Sequence, residues 1–138
     1  MGEDAPKVGL GYVILYVEDV EASLAFYERA FGLARRFFHD EEGKAYGELE
    51  TGGTRLSFAS LGLVASHFSH QPRIAAPGEP PLGFEIALTT TDVQALYDRA
   101  LAAGATAEAA PETKPWGQTV AYVRDNRGFL VELCTPMP

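Results

Sequence analysis

The sequence predicts an α+β fold: two tandem βαβββ modules forming a curved, mostly antiparallel mixed sheet around a cup-shaped cavity. Three observations predict it. The stretch Tyr12-Val-Ile-Leu-Tyr-Val-Glu-Asp19-Val20 opens onto a helical pattern, and Glu85-Ile-Ala-Leu-Thr-Thr-Thr-Asp92-Val93 does the same in the second half. Each helical pattern stops at a glycine, Gly32 or Gly104. Each half then closes on a glycine followed by an apolar alternation, Gly53-Thr-Arg-Leu-Ser57-Phe58 and Gly128-Phe-Leu-Val-Glu132-Leu133. A duplicated strand–helix–strands unit calls for mixed sheets rather than a bundle or a sandwich.

Residues 10–17 alternate, with Val13, Leu15 and Val17 on one side and Tyr12, Ile14 and Tyr16 on the other, the period of a strand. Asp19 is placed to cap the following helix and Glu21 lies in its first turn, where the helix dipole favours an acid. Val20, Leu24, Tyr27 and Phe31 form its apolar stripe, and Gly32 stops it. Strands are expected at 33–39, 44–51 and 54–60, with turns at Glu42-Gly43 and Gly52-Gly53. The segment 62–82, with Pro72, Pro77, Pro80 and Pro81, reads as a linker carrying a short helix early on. In the second half a strand at 83–90 leads to Asp92 as cap. A helix at 93–103 buries Val93, Leu96, Ala100 and Leu101, and strands at 106–110, 117–124 and 129–135 follow. The modules thus span about 8–61 and 83–136 within one domain, 1–138.

The net charge of −8 argues against a nucleic-acid partner, which needs a basic face. No apolar run is long enough to span a bilayer, and Met1-Gly-Glu-Asp-Ala-Pro-Lys7 does not read as a signal peptide, so a cytoplasmic location without a membrane partner is expected. The single Cys134 leaves no disulfide framework and no cysteine-rich zinc site.

Strand alternation and internal symmetry place Tyr12, Ser57, Glu85 and Glu132 on one inner surface, with Tyr16 and Arg55 beside them. The opposite set in the second module, Phe84, Ile86 and Leu88, is expected to pack under the helix. Two inner carboxylates have two kinds of reading. Either they are solvated at a rim or paired with Arg55, or they ligate a metal, act as acid and base, or hold a cationic group. His67 and His70 lie in the linker without a third ligand, and His39 closes a strand; all three read as surface residues.

The chain resembles the vicinal oxygen chelate superfamily, which includes glyoxalase I, extradiol dioxygenases, fosfomycin-resistance enzymes and bleomycin-resistance proteins. The resemblance rests on Tyr16-Val-Glu-Asp19-Val-Glu-Ala-Ser23-Leu-Ala-Phe26-Tyr27 with Phe31-Gly-Leu33, on Asp92-Val93 with Ala103-Gly104-Ala105, and on the stretch from Pro115 to Leu133. In metal-dependent members it implies four ligands, which fall here on Tyr12, Ser57, Glu85 and Glu132. With no histidine among them, no metal or other cofactor is expected; a divalent metal, if bound, would use Glu85 and Glu132.

Pro115-Trp116-Gly117, Arg124-Asp125 and the Gly128 turn resemble the metal-free bleomycin-resistance branch in particular. That branch implies sequestration of a flat, cationic antibiotic in a groove at a dimer interface. Trp116 either stacks on such a ligand or is a packed residue where a strand begins, and Tyr12, Tyr16, Tyr46, Tyr122 and Phe68 are its expected neighbours. The expectation is therefore a homodimer that binds an aromatic small molecule. The alternative is a glyoxalase-type lyase, isomerase or dioxygenase using Glu85 and Glu132.

Overall fold

A computed structural model describes residues 5–138; the opening residues 1–4, part of the stretch read above for targeting and of the single-domain range, lie outside it. The first module contains β1 (Tyr12–Val17), α1 (Val20–Phe31), β2 (Arg35–Glu41), β3 (Lys44–Leu49) and β4 (Arg55–Ser60). A short helix, α2 (Leu61–Ala65), opens the linker. The second module repeats the order with β5 (Ile86–Thr89), α3 (Val93–Ala102), β6 (Thr106–Thr113), β7 (Thr119–Arg124) and β8 (Leu130–Cys134). The fold is α+β, with the expected tandem βαβββ plan. No described helix is long and apolar enough to cross a membrane.

Each module forms its own four-stranded sheet, in the orders β1-β4-β3-β2 and β5-β8-β7-β6. The first strand of each pairs in parallel with the last, and the other pairings are antiparallel. The internal repeat extends to the caps: Asp19 accepts from the Ala22 N–H and Asp92 from the Ala95 N–H, both at 3.0 Å. Such caps satisfy donors that the first helical turn leaves unpaired.

The modules are joined helix to helix. α1 packs on α3, and Arg99 donates through Nε to the Arg29 carbonyl at 2.8 Å. Tyr27, fully buried in α1, donates its hydroxyl to Asp125 of the β7–β8 turn at 2.6 Å. The other Asp125 oxygen accepts from the Arg127 and Phe129 N–H groups at 2.8 and 2.9 Å. Burial pushes both groups up, Tyr27 well above the ordinary phenol range and Asp125 against the lowering effect of these bonds. Tyr27→Phe keeps the ring but strips Asp125 Oδ2 of its side-chain donor. It is expected to cost about 1–3 kcal/mol, read from the urea midpoint at unchanged m.

Two expectations change. β1 and β5 are both sheet edges and do not pair with each other, so the inner faces of the modules belong to two sheets rather than one. Of the set expected under the helix, Ile86 and Leu88 are half-buried against the core, but Phe84 is not packed there. α3 lies mainly over β6, β7 and β8, as α1 lies over β2, β3 and β4, while β1 is met by α2 and is buried only at Leu15 and Val17, leaving its start exposed. Phe84 is 42% exposed and leans on Phe129, with ring centroids 6.0 Å apart.

Candidate functional site

The register of the second sheet brings its polar inner residues together. Ala87 lies opposite Glu132 on one side and Tyr122 opposite Glu132 on the other. Glu85, two residues before Ala87, shares their face by alternation. Its carboxyl reaches Glu132 within hydrogen-bonding range, and that shared bond, then burial and the neighbouring charge, raise Glu85 to about 7. Two carboxyls this close cannot both ionise cheaply, so one keeps a proton near neutrality. Tyr122 donates to Glu132 at 3.3 Å, and burial followed by the two glutamates pushes its phenol up. Among the described residues neither glutamate has a cationic partner; Arg55, one expected partner, pairs instead with Glu50.

Cys134 borders this pair. Burial and then Glu132 push its thiol up to about 11, and its Sγ contacts the Leu88 carbonyl at 3.8 Å. A thiol so held stays protonated and is no nucleophile near neutral pH.

The first sheet carries a different surface. Ser57 lies opposite Ile14 and Glu48, and Ala59 opposite Tyr16 and Tyr46, which puts Tyr12, Tyr16, Tyr46, Glu48 and Ser57 on one face. Tyr46 donates to Glu48 at 2.9 Å, and Arg36 Nε approaches the same carboxylate at 3.7 Å. Phe37 is 5.1 Å from His39 and 5.9 Å from Tyr46 between ring centroids, so three rings line the face.

A cleft of about 520 Å³ lies between the modules, the size of a small-molecule site. It opens where the start of β1 faces β5, two sheet edges that do not pair with each other. Val13, Leu56, Phe31, Ile86, Leu88 and Leu96 give it apolar walls, and Arg55 and Glu85 are its charged members. Glu85 also lines a smaller hollow with Tyr122 and Arg124, so it borders both.

The eight residues singled out from sequence thus divide into groups. Glu85, Tyr122 and Glu132 converge. Tyr12, Tyr16 and Ser57 share the other sheet's inner face, and Arg55 borders the cleft beside Glu50. Trp116 sits at the β6–β7 hairpin tip, 56% exposed, so it is not packed where the strand begins. Its Nε1 donates to Gln118 Oε1 at 2.8 Å, and Gln118 in turn donates to the Thr135 carbonyl at 2.8 Å. From Gln118 to Tyr122 is about 13 Å along the strand, so indole and acid pair occupy different ends of one face. Tyr12, Tyr16 and Tyr46 belong to the other sheet, and Phe68 lies in the linker beside His70. Glu48 was missed, although the alternation of 44–49 sets Lys44, Tyr46 and Glu48 against Ala45, Gly47 and Leu49.

The four positions matched to metal ligands fall on two separate sheets. Glu85 and Glu132 lie close together on one sheet, while Tyr12 and Ser57 lie on the other and offer a phenol and a hydroxyl, weak donors to a divalent ion. Among the described residues no three His, Cys, Asp or Glu side chains come together.

With this geometry in view, comparison with known proteins supplies the family. The family model for the Glyoxalase/Bleomycin resistance protein/Dioxygenase superfamily matches residues 9–133. A glyoxalase-related enzyme from Fulvimarina pelagi superposes with a TM-score of 0.74 at 24% identity, covering 93% of this chain and 88% of that one. A member of the superfamily from Sphaerobacter thermophilus gives 0.73 at 20% identity over 94% and 98%. A glyoxalase/bleomycin resistance protein/dioxygenase from Nocardioides gives 0.69 at 19% over 95% and 85%. At these identities the likeness is one of fold. No curated protein matches the chain. The family model spans both modules and both sheets, and the chain belongs to the Glyoxalase/Bleomycin resistance protein/Dioxygenase superfamily.

Proposed function

We propose that this protein is a metal-independent small-molecule-binding member of its superfamily, one that captures an aromatic amine of antibiotic-like size and holds it without reaction. The observation carrying this reading is the Glu85–Glu132 pair: two carboxyls close together on one face, with no ion pair to either among the described residues, the nearby Arg55 and Arg124 being paired with Glu50 and Glu108. A ligand ammonium or guanidinium would replace the proton that one of them keeps and relieve the repulsion. The apolar cleft supports an aromatic or aliphatic body next to the charge. A ligand more than about 13 Å long would also reach the exposed indole of Trp116 and stack there.

The two edges β1 and β5 support a homodimer. Tyr12, Val13, Ile14 and Phe84 leave apolar surface exposed along them, and an uncovered edge strand is a template for pairing. Pairing β1 of one copy with β5 of another would bring the aromatic face of one module against the acid pair of its neighbour.

The test is a calorimetric titration of the purified protein with benzylamine and with larger aromatic amines, alongside sedimentation and elemental analysis. Saturable binding that falls at least tenfold in Glu132→Gln, by a dimer without stoichiometric metal, is the expected result. A stoichiometric metal lost in Glu132→Ala would overturn it in favour of a metal-dependent lyase, isomerase or dioxygenase.

A further inference from the structure

The first module holds polar groups that the acid-pair reading leaves idle. Ser57 is 0% exposed, and its Oγ has no hydrogen-bond partner among the described residues, although the Tyr46 phenol lies close by. Glu48, across the strand pair from it, is 7% exposed. This carboxylate accepts one well-formed bond, from Tyr46, and meets Arg36 only at 3.7 Å. An ionised carboxyl has room for about four donors, so acceptor capacity remains. Arg36 already offsets its charge, so the site calls for a neutral donor rather than a second cation. Above these groups the rings of Phe37, His39 and Tyr46 form an aromatic wall, and Tyr12, 57% exposed, stands at its solvent edge.

The repeat makes the arrangement more telling. Each sheet centre pairs a tyrosine with a glutamate, Tyr46 with Glu48 and Tyr122 with Glu132. The carboxylate has moved from the last strand in the second module to the strand before it in the first. Ser57 occupies the place in its sheet that Glu132 occupies in the other. Where the second module sets two carboxyls side by side, the first sets a buried hydroxyl beside one carboxylate.

We infer that the inner face of the first module is a separate subsite for a planar aromatic amide. Its ring lies against the Phe37–His39–Tyr46 wall, its carbonyl accepts from Ser57 Oγ, and its N–H donates to Glu48. Tyr46 and Tyr12 shift aside to admit the amide to Ser57. A ligand carrying an amide and an amine would use both modules, but the subsite stands whether or not the acid pair binds amines.

Benzamide, N,N-dimethylbenzamide and benzylamine, titrated into the full chain by heteronuclear NMR, test this. Benzamide is expected to shift the amide signals of β3 and β4 saturably, and the dimethyl compound, which has no N–H, to bind about tenfold more weakly. Ser57→Ala and Glu48→Gln each weaken benzamide about tenfold and leave benzylamine within twofold, while Glu132→Gln does the reverse. Equal affinity for benzamide and its dimethyl analogue overturns the proposal, and that comparison needs no variant to fold. So does an absence of saturable shifts in β3 and β4, or benzamide binding unchanged in a folded Ser57→Ala; Ser57 and Glu48 would then be bridged by water alone. Loss of benzylamine binding with benzamide binding intact refutes the acid-pair reading only.

Discussion

Gly128→Ala is expected to destabilise the protein by about 3 kcal/mol or more, among the largest losses any single methyl group can cause here. Gly128 has φ +95°, a conformation that costs an L residue about 1–2 kcal/mol by itself. Its surroundings add to this. An added Cβ would lie 2.7 Å from both the carbonyl carbon and oxygen of Ala76 and 3.0 Å from the Pro77 nitrogen, all backbone atoms that cannot swing away as a side-chain tip would. The contact exists because the linker docks on this turn. Arg124 donates to the Glu79 carbonyl at 3.0 Å and to the Gly128 carbonyl at 3.1 Å, and the Gly128 N–H donates to the Asp125 carbonyl at 3.1 Å. Gly104→Ala is the matched control, with φ +107° and open space around it. Urea melts of both variants separate the two contributions. Gly104→Ala should lose only the conformational part, and equal losses would mean that the linker yields and its docking contributes little.

What the sequence made legible follows from what local chemistry encodes. The strand after each glycine, the Asp19 and Asp92 caps and the stripe through Leu24 and Tyr27 depend on residues within a few positions of one another, and all stand where the patterns put them. Glu85 and Glu132 were also legible, because a parallel β5–β8 pair fixes their faces once the repeat is seen. The cleft was not. Its existence depends on the edges β1 and β5 not pairing with each other, a tertiary choice that leaves no mark on the apolar period of β5. Ile86 and Leu88 look the same in sequence whether they are fully buried or, as here, half-buried at the wall of a cleft. The separation of the two inner faces was hidden for a related reason, since alternation assigns a side chain to a face but does not say which sheet edges meet. Tyr27 read as one more member of an apolar stripe, because its bond to Asp125 spans 98 positions.

Affinity for benzylamine should rise with pH, by up to tenfold per unit between about 5 and 7, and level off above. Glu85, raised to about 7 chiefly by its bond to Glu132, is protonated over that interval and must give up its proton to face an ammonium with full charge. The amine itself stays charged throughout, so the slope reports the carboxyl pair. The sign for folding is the opposite. A carboxyl held above its unfolded range favours the native state at low pH, and that contribution disappears as pH rises from the unfolded value near 4.5 through about 7. Glu85 is largely exposed, so this stability change is small beside the binding effect. Both signatures depend on the second carboxyl. In Glu132→Gln the shared proton has no reason to persist, Glu85 should titrate in the ordinary carboxyl range, and the affinity profile between 5 and 7 should flatten as binding weakens. An unchanged slope in that variant would show that the titrating group lies elsewhere and that the pair does not hold the amine.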